Sequence, residues 1–168
     1  NCFSLNIEQM LINNWYVAAY AHDVTATRPL GVRMLGCDFV LYRDAAGGAV
    51  CMSNVCVHRG AALANGQVVA GNVECPYHGW QFDGSGRCLK IPSLGPQGQG
   101  RIPGRARVDS YPVEERYGLV FAYLGPSEKK PVLPRYECLE VMGPGEFVEA
   151  DDSSIGSGGI VIAPCNWL

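Results

Sequence analysis

The sequence predicts an all-β protein, a sandwich or small barrel of short strands. Runs rich in valine, isoleucine, tyrosine and phenylalanine recur along the chain, and each is short. The 21 glycines and 11 prolines break these runs with turn chemistry. Only two short stretches read as helical.

Taken in order, "WYVAAY" at 15–20 opens the series, and a helical turn is expected near "AHDV" at 21–24. "PLGVRML" at 29–35 follows as a strand. "FVLYRD" at 39–44 and the run "GGAV" into "CMSNV" then form a hairpin, with Gly47 and Gly48 supplying the turn. A short helical piece is expected around 60–65, before further strands at "GNVEC" (71–75), "WQFD" (80–83) and "RCLKI" (87–91). "PSLGPQGQGRIPG" at 92–104 reads as a long loop, and "YPVEERYGLVFAYLG" at 111–125 closes the β region. "GPSEKKPVLP" at 125–134 is the exit from it. The expected organisation is an N-terminal extension at 1–12, a β domain at 13–126, and a linker leading into the start of a further domain at 127–168.

With 168 residues, the chain can bury one sizeable core. A net charge of −3 and 13 scattered lysines and arginines provide no basic patch for nucleic acid. The longest apolar runs, such as "GLVFAYLG", fall well short of the roughly 20 residues that span a bilayer, so no membrane partner is expected. No basic region precedes an apolar one at the start, which makes a cytoplasmic location the default. In that setting the 8 cysteines are expected to serve metal binding or plain burial rather than disulfides. Cys37 and Cys51, in apolar strand patterns, are expected to be buried thiols.

The chemistry concentrates in "CVHRG" at 56–60 and "CPYHGW" at 75–80. Pro76 lacks a backbone donor and Gly79 costs helix stability, so Cys75 and His78 belong to a loop. The two loops give Cys56-x-His58 and Cys75-x-x-His78, each offering one thiolate and one imidazole. Three readings stand for these residues. They could be core cysteines and satisfied histidines, although the repeated pairing in two glycine-bounded loops argues against chance. They could hold structural zinc, whose common spacings pair Cys with Cys and His with His. They could hold a Rieske [2Fe–2S] cluster, in which two cysteines bind one iron and two histidines bind the other. The division of Cys and His across both loops suits the third reading, because each loop can then reach both irons.

Such a cluster is formally neutral when oxidised, whereas four thiolates would leave it doubly negative. The neutral form accepts an electron more readily, which raises the potential from about −400 mV toward roughly −150 to +300 mV. Electron transfer is the function these ligands imply.

"CVHRGAAL" and "CPYHGWQFDGSGRC" resemble the cluster loops of Rieske non-haem iron oxygenases, terminal components that hydroxylate or demethylate aromatic and related compounds. "NNWYVAAY" and "YPVEERYGLVFAYLG" are similar to the family's flanking strands, so the resemblance covers about 13–126. It implies a Rieske-type antiparallel β-sandwich with a small cluster-binding subdomain of two loops. Cys56 and Cys75 would bind the buried iron and His58 and His78 the outer one, with Arg59, Gly60, Tyr77, Gly79 and Trp80 around the cluster. Arg59 would otherwise be a solvated surface charge, and Trp80 ordinary core packing. Where cytochrome-complex Rieske proteins carry a loop-stapling disulfide, this chain has Ala61 and Tyr77, which implies a lower potential than theirs. "IPSLGP" at 91–96 matches a flap over the cluster, or is a plain spacer.

Complete oxygenases of this type also hold mononuclear Fe(II) on two histidines and a carboxylate. The chain has three histidines, and beyond the cluster pair only His22 is left, so that site is expected outside it. "APCNWL" at 163–168 is similar to the opening of the family's catalytic domain. The resemblance therefore implies the Rieske part of a terminal oxygenase, with a ferredoxin or flavin reductase as electron donor and neighbouring subunits of a homotrimer as partners. A stand-alone Rieske-type ferredoxin is the alternative.

Overall fold

The computed structural model describes residues 13–135. The chain divides into two compact units, 1–133 and 134–168, and the fold that follows is that of the first. The expectations for 1–12 and for the tail beyond 135 lie outside the described residues.

Three antiparallel sheets make up the unit. The first joins β1 (Asn14–Tyr20), β11 (Leu119–Leu124) and β10 (Val113–Arg116), in that order. The second runs β2 (Leu30–Met34), β3 (Cys37–Arg43), β4 (Ala49–Ser53), β9 (Ser110–Tyr111). The third is β5 (Gln67–Val69), β6 (Asn72–Glu74), β7 (Gln81–Phe82), β8 (Cys88–Lys90).

Why β3 reads "FVLY" without alternation is explained by its place in the middle sheet. Successive side chains of a strand point to opposite faces. Phe39 and Leu41 enter one core with Cys51, Val120, Ala122 and Leu124 of the first two sheets. Val40 and Tyr42 enter another with Met52, Val73, Phe82, Cys56 and Cys75. All four side chains from Phe39 to Tyr42 are at most 1% exposed. A strand buried on both faces is apolar throughout. The expected sandwich is present, and its middle layer carries the second core that supports the two Cys/His loops.

Three hairpins turn on two residues with positive φ at both, as type I′ turns require: Leu35–Gly36 (48°, 74°), Ala70–Gly71 (49°, 76°) and Tyr117–Gly118 (57°, 72°). Their first positions are Leu, Ala and Tyr rather than the usual Asn or Asp, so the turn signal was muted in the sequence. That accounts for two differences from expectation. β5 and its hairpin with β6 were not anticipated, and the 111–125 run folds back at Tyr117–Gly118 into β10 and β11, with Pro112 separating β9 from β10. The hairpin expected at 39–53 forms in register, its turn held by the Asp44 carboxylate, which accepts from the Ala46 and Gly48 N–H groups. Helical turns at Leu63–Asn65 and across 92–101 occupy the short helical site and most of the expected loop. Cys51 is a buried free thiol as expected, whereas Cys37 is disulfide-bonded.

Arg43 ties the layers together. Its guanidinium donates to the Val24, Ala21 and Gly47 carbonyls and forms a bidentate pair with Glu115 at 2.7 and 3.0 Å, using all five of its N–H groups. The first residues of the expected linker also pack on this unit. Trp15 donates to the Pro131 carbonyl, Arg116 donates to that of Leu133, and Leu133 is 1% exposed.

Burial pushes the Cys51 thiol up from 9.0 to about 12 and the Tyr111 phenol from 10.0 to about 12. Both are neutral in the fold and ionise in the unfolded chain at lower pH. Stability is therefore intact below about 9 and falls as pH rises toward about 12. Urea unfolding from about pH 8 to about pH 11 is expected to show a falling midpoint, with a shallower slope in Cys51→Ala; equal slopes would remove Cys51 as a cause.

Candidate metal centre

The two ligand loops are closed in the same way. Cys56 N–H donates to the Ala61 carbonyl and Gly60 N–H donates back to Cys56, at 2.9 and 2.8 Å. Cys75 N–H donates to the Trp80 carbonyl and Gly79 N–H donates back to Cys75, at 2.8 and 3.0 Å. Each loop thus spans from a cysteine to the fifth residue after it and turns on a glycine at the fourth. Gly60 and Gly79 have φ of 73° and 68°, a left-handed conformation that other residues adopt at a cost. Within this shared frame the histidine stands second after Cys56 and third after Cys75.

Burial separates the two donor types. Cys56 and Cys75 are 1% and 3% exposed, within the core beneath the loops, while His58 and His78 lie exposed. The imidazole ring centroids lie 4.7 Å apart, with the planes tilted by 59°. Trp80 stacks flat on His58 at 4.5 Å with a 6° interplanar angle, and Tyr77 lies 3.9 Å from His78. An aromatic ring thus flanks each histidine, which limits how either can rotate.

Electrostatics follow from that burial. Desolvation pushes the Cys56 thiol up to about 11; the backbone N–H groups of His58 and Arg59, directed at its sulfur, oppose the rise, and the adjacent Cys75 thiol adds to it. The His58 imidazole is held below its ordinary value by desolvation, then by His78 and Arg59.

Neighbouring elements hold the loops in place. Asn54 accepts the Ala64 N–H with its side chain at 2.7 Å and the Leu63 N–H with its carbonyl at 3.0 Å, fixing the turn after the first loop. Pro92 packs over the second loop, with its Cγ 3.2 Å from where a Cβ on Gly79 would stand. His22 is elsewhere, stacked on Tyr20 and 3.6 Å from Asp23.

A Rieske [2Fe-2S] domain model matches residues 14–112. The chain belongs to this family. It is 50% identical to the phenoxybenzoate dioxygenase subunit alpha of Ectopseudomonas oleovorans, over 92% of this chain and 38% of that protein. It is 38% identical to the dicamba O-demethylase oxygenase component of Stenotrophomonas maltophilia, over 75% of this chain and 36% of that protein. A crystal structure of dicamba monooxygenase with non-heme iron and dicamba superposes with a TM-score of 0.70 at 34% identity, covering 77% of this chain and 39% of that one. The chain therefore spans less than two-fifths of the length of these relatives.

The Rieske domain's cofactor is a [2Fe–2S] cluster, and the donors fit one. Among the described residues no three His, Cys, Asp or Glu side chains converge on a single ion. A cluster with two protein ligands on each iron does not ask for three. A buried thiol pair beneath an exposed imidazole pair is the arrangement it needs.

Two supporting groups escaped the sequence reading. Asn54 is one, and the other is Glu74, whose carboxylate accepts from Gln67 and Gln81 on the neighbouring strands at 2.8 and 2.6 Å. Those amides hold the Glu74 carboxyl below its usual range. Neither belongs to a motif; only the alternation in "NVEC", which turns Glu74 away from the core, hinted at its place.

The matched glycines provide a graded test of the loop frame. Gly60→Ala and Gly79→Ala are each expected to lose about 1–2 kcal/mol to left-handed strain. Gly79→Ala is expected to lose more, since its Cβ meets Pro92 at 3.2 Å while Gly60 has nothing within 4 Å. Chemical denaturation of the two variants checks the order, and equal losses would mean that Pro92 yields freely.

Proposed function

We propose that Cys56 and Cys75 bind the inner iron of the cluster and His58 and His78 the outer iron, and that the chain is the electron-transfer domain of a terminal oxygenase acting on an aromatic or related substrate. The observation that carries this is the pair of equally spanned loops, which bury two thiols and present two imidazoles on one exposed side. When bound, the cluster takes up and passes on single electrons at a potential raised by its histidine ligands.

The chain's own residues set the conditions for that transfer. The core around Cys56 and Cys75 excludes water from the sulfurs. Backbone N–H groups of His58 and Arg59 stabilise negative charge on the Cys56 sulfur. Trp80 and Tyr77 fix the imidazole planes, and Gly60 and Gly79 permit the tight turns that bring the loops together. Exposed Val57 and Tyr77, 46% and 61% accessible, border the histidines and suit a transient redox partner. A ferredoxin or flavin reductase is the donor this reading calls for, and mononuclear Fe(II) in a catalytic domain, that of a neighbouring subunit in a homotrimer, is the acceptor. A cytoplasmic setting suits the free thiols Cys51, Cys56, Cys75 and Cys88, whereas the disulfide bond of Cys37 counts against it. Among the described residues, no helix is long and apolar enough to cross a membrane.

The stand-alone ferredoxin reading is less favoured, because similarity to the phenoxybenzoate dioxygenase subunit extends over 92% of the chain, beyond the β domain.

Iron, acid-labile sulfide and the EPR spectrum of the dithionite-reduced protein test the assignment together. About two irons per chain and the low-average-g signal of a histidine-ligated cluster are expected. Zinc in place of iron, or a silent spectrum after reconstitution, would sink it. His78→Cys is expected to lower the potential steeply or lose the cluster; an unchanged spectrum removes His78 from the ligands.

A further inference from the structure

The outer face of the third sheet carries one row of polar side chains. Gln67 pairs with Glu74, Glu74 with Gln81, and Gln81 with Lys90 beside a bulge between β7 and β8, so the row crosses all four strands. Glu74 occupies the middle. Its Oε1 accepts from Gln67 Nε2 at 2.8 Å and its Oε2 from Gln81 Nε2 at 2.6 Å, and Lys90 interacts with it electrostatically. A carboxylate bonded on both oxygens by amides of both flanking strands is held in one place, unlike an ordinary surface glutamate.

That place is the base of the second ligand loop. Glu74 directly precedes Cys75, and Gln81 directly follows Trp80, whose carbonyl accepts from Cys75 N–H at 2.8 Å. The Glu74–Gln81 bond is therefore the next rung below the one that closes the loop. It fixes a negative charge one residue from a cluster ligand, in a partly buried site where screening is weaker than in bulk solvent.

We propose that Glu74 is a positioning residue for electron transfer: its fixed carboxylate favours the oxidised cluster and lowers the potential at which the domain accepts an electron. The inference rests on the cluster assignment above. The charge argument has a definite sign, since reduction adds an electron to a cluster held by the residue next to this anion in the chain, and the field of a fixed charge acts through the sheet. Lys90, next but one in the row, acts in the opposite direction.

The test is the midpoint potential of the cluster-loaded protein, read by EPR-monitored redox titration. Glu74→Gln keeps the size and one amide contact but removes the charge, and its potential is expected to rise with iron content and g-values unchanged. Glu74→Asp keeps the charge and is expected to stay near the parent. Lys90→Gln, at an exposed position, is expected to lower the potential. A Glu74→Gln potential equal to the parent's overturns the proposal. If Glu74→Gln fails to hold its cluster, the other two variants decide: a lowered Lys90→Gln beside an unmoved Glu74→Asp supports it, and an unmoved Lys90→Gln overturns it. Absence of the histidine-ligated signal from the parent protein is a different result, the failure of the cluster assignment itself.

Discussion

Strand β3 has to bury both of its faces, and the rest of the unit is arranged around that requirement. Phe39 and Leu41 need a cover on one side and Val40 and Tyr42 on the other, all at most 1% exposed. A two-layer sandwich satisfies only one face. The second face calls for a further apolar layer, which the third sheet and the two ligand loops supply through Val73, Phe82, Cys56 and Cys75. The cysteines are thus part of the packing that the central strand demands. The Tyr42 hydroxyl shows what the arrangement costs: among the described residues it has no hydrogen bond of good geometry, and only the nearby Val73 backbone eases its burial.

Burial also explains how one short segment presents two donor types so differently. A thiol sunk in a core is disfavoured as thiolate, and the Cys56 thiol shifts upward accordingly. Backbone N–H groups directed at the sulfur offset part of that penalty, and they are available because a tight turn on a glycine points successive amides inward. The histidines follow within the same turns, where the chain has already come back to the surface. Inner sulfur and outer nitrogen are consequences of loop geometry as much as of residue choice.

How much of this was legible in the sequence depended on whether the signal was local. The Cys/His spacing, the Pro76 and Gly79 breakers and the hairpin at 39–53 are local signals, and the ligand loops and that hairpin were read from them. The hairpins at Leu35–Gly36 and Ala70–Gly71 were hidden because Leu and Ala are not the residues that mark a left-handed position; the glycine alone carried the signal. The division of β3 between two cores could not be read from "FVLY", since an unbroken apolar run fits a buried strand in many sheets. Arg43, Asn54 and Glu74 were invisible for another reason. None sits in a motif that marks its partner, which lies 72, 10 and 7 positions away respectively, and their residue types are ordinary ones for a surface.

The same contrast bears on what holds the site together. Every bond that closes the ligand loops is local, between residues four or five apart, and such bonds specify the shape of each loop alone. Placing one loop against the other falls to the shared core beneath them, while the Asn54 contacts brace the turn after the first loop and the row through Glu74 the base of the second. Local closure is cheap in entropy, whereas bringing residue 56 to residue 75 closes a longer stretch of chain. The distance between the two donor pairs, on which any two-iron cofactor depends, is then governed by packing around β3 rather than by the motif residues themselves.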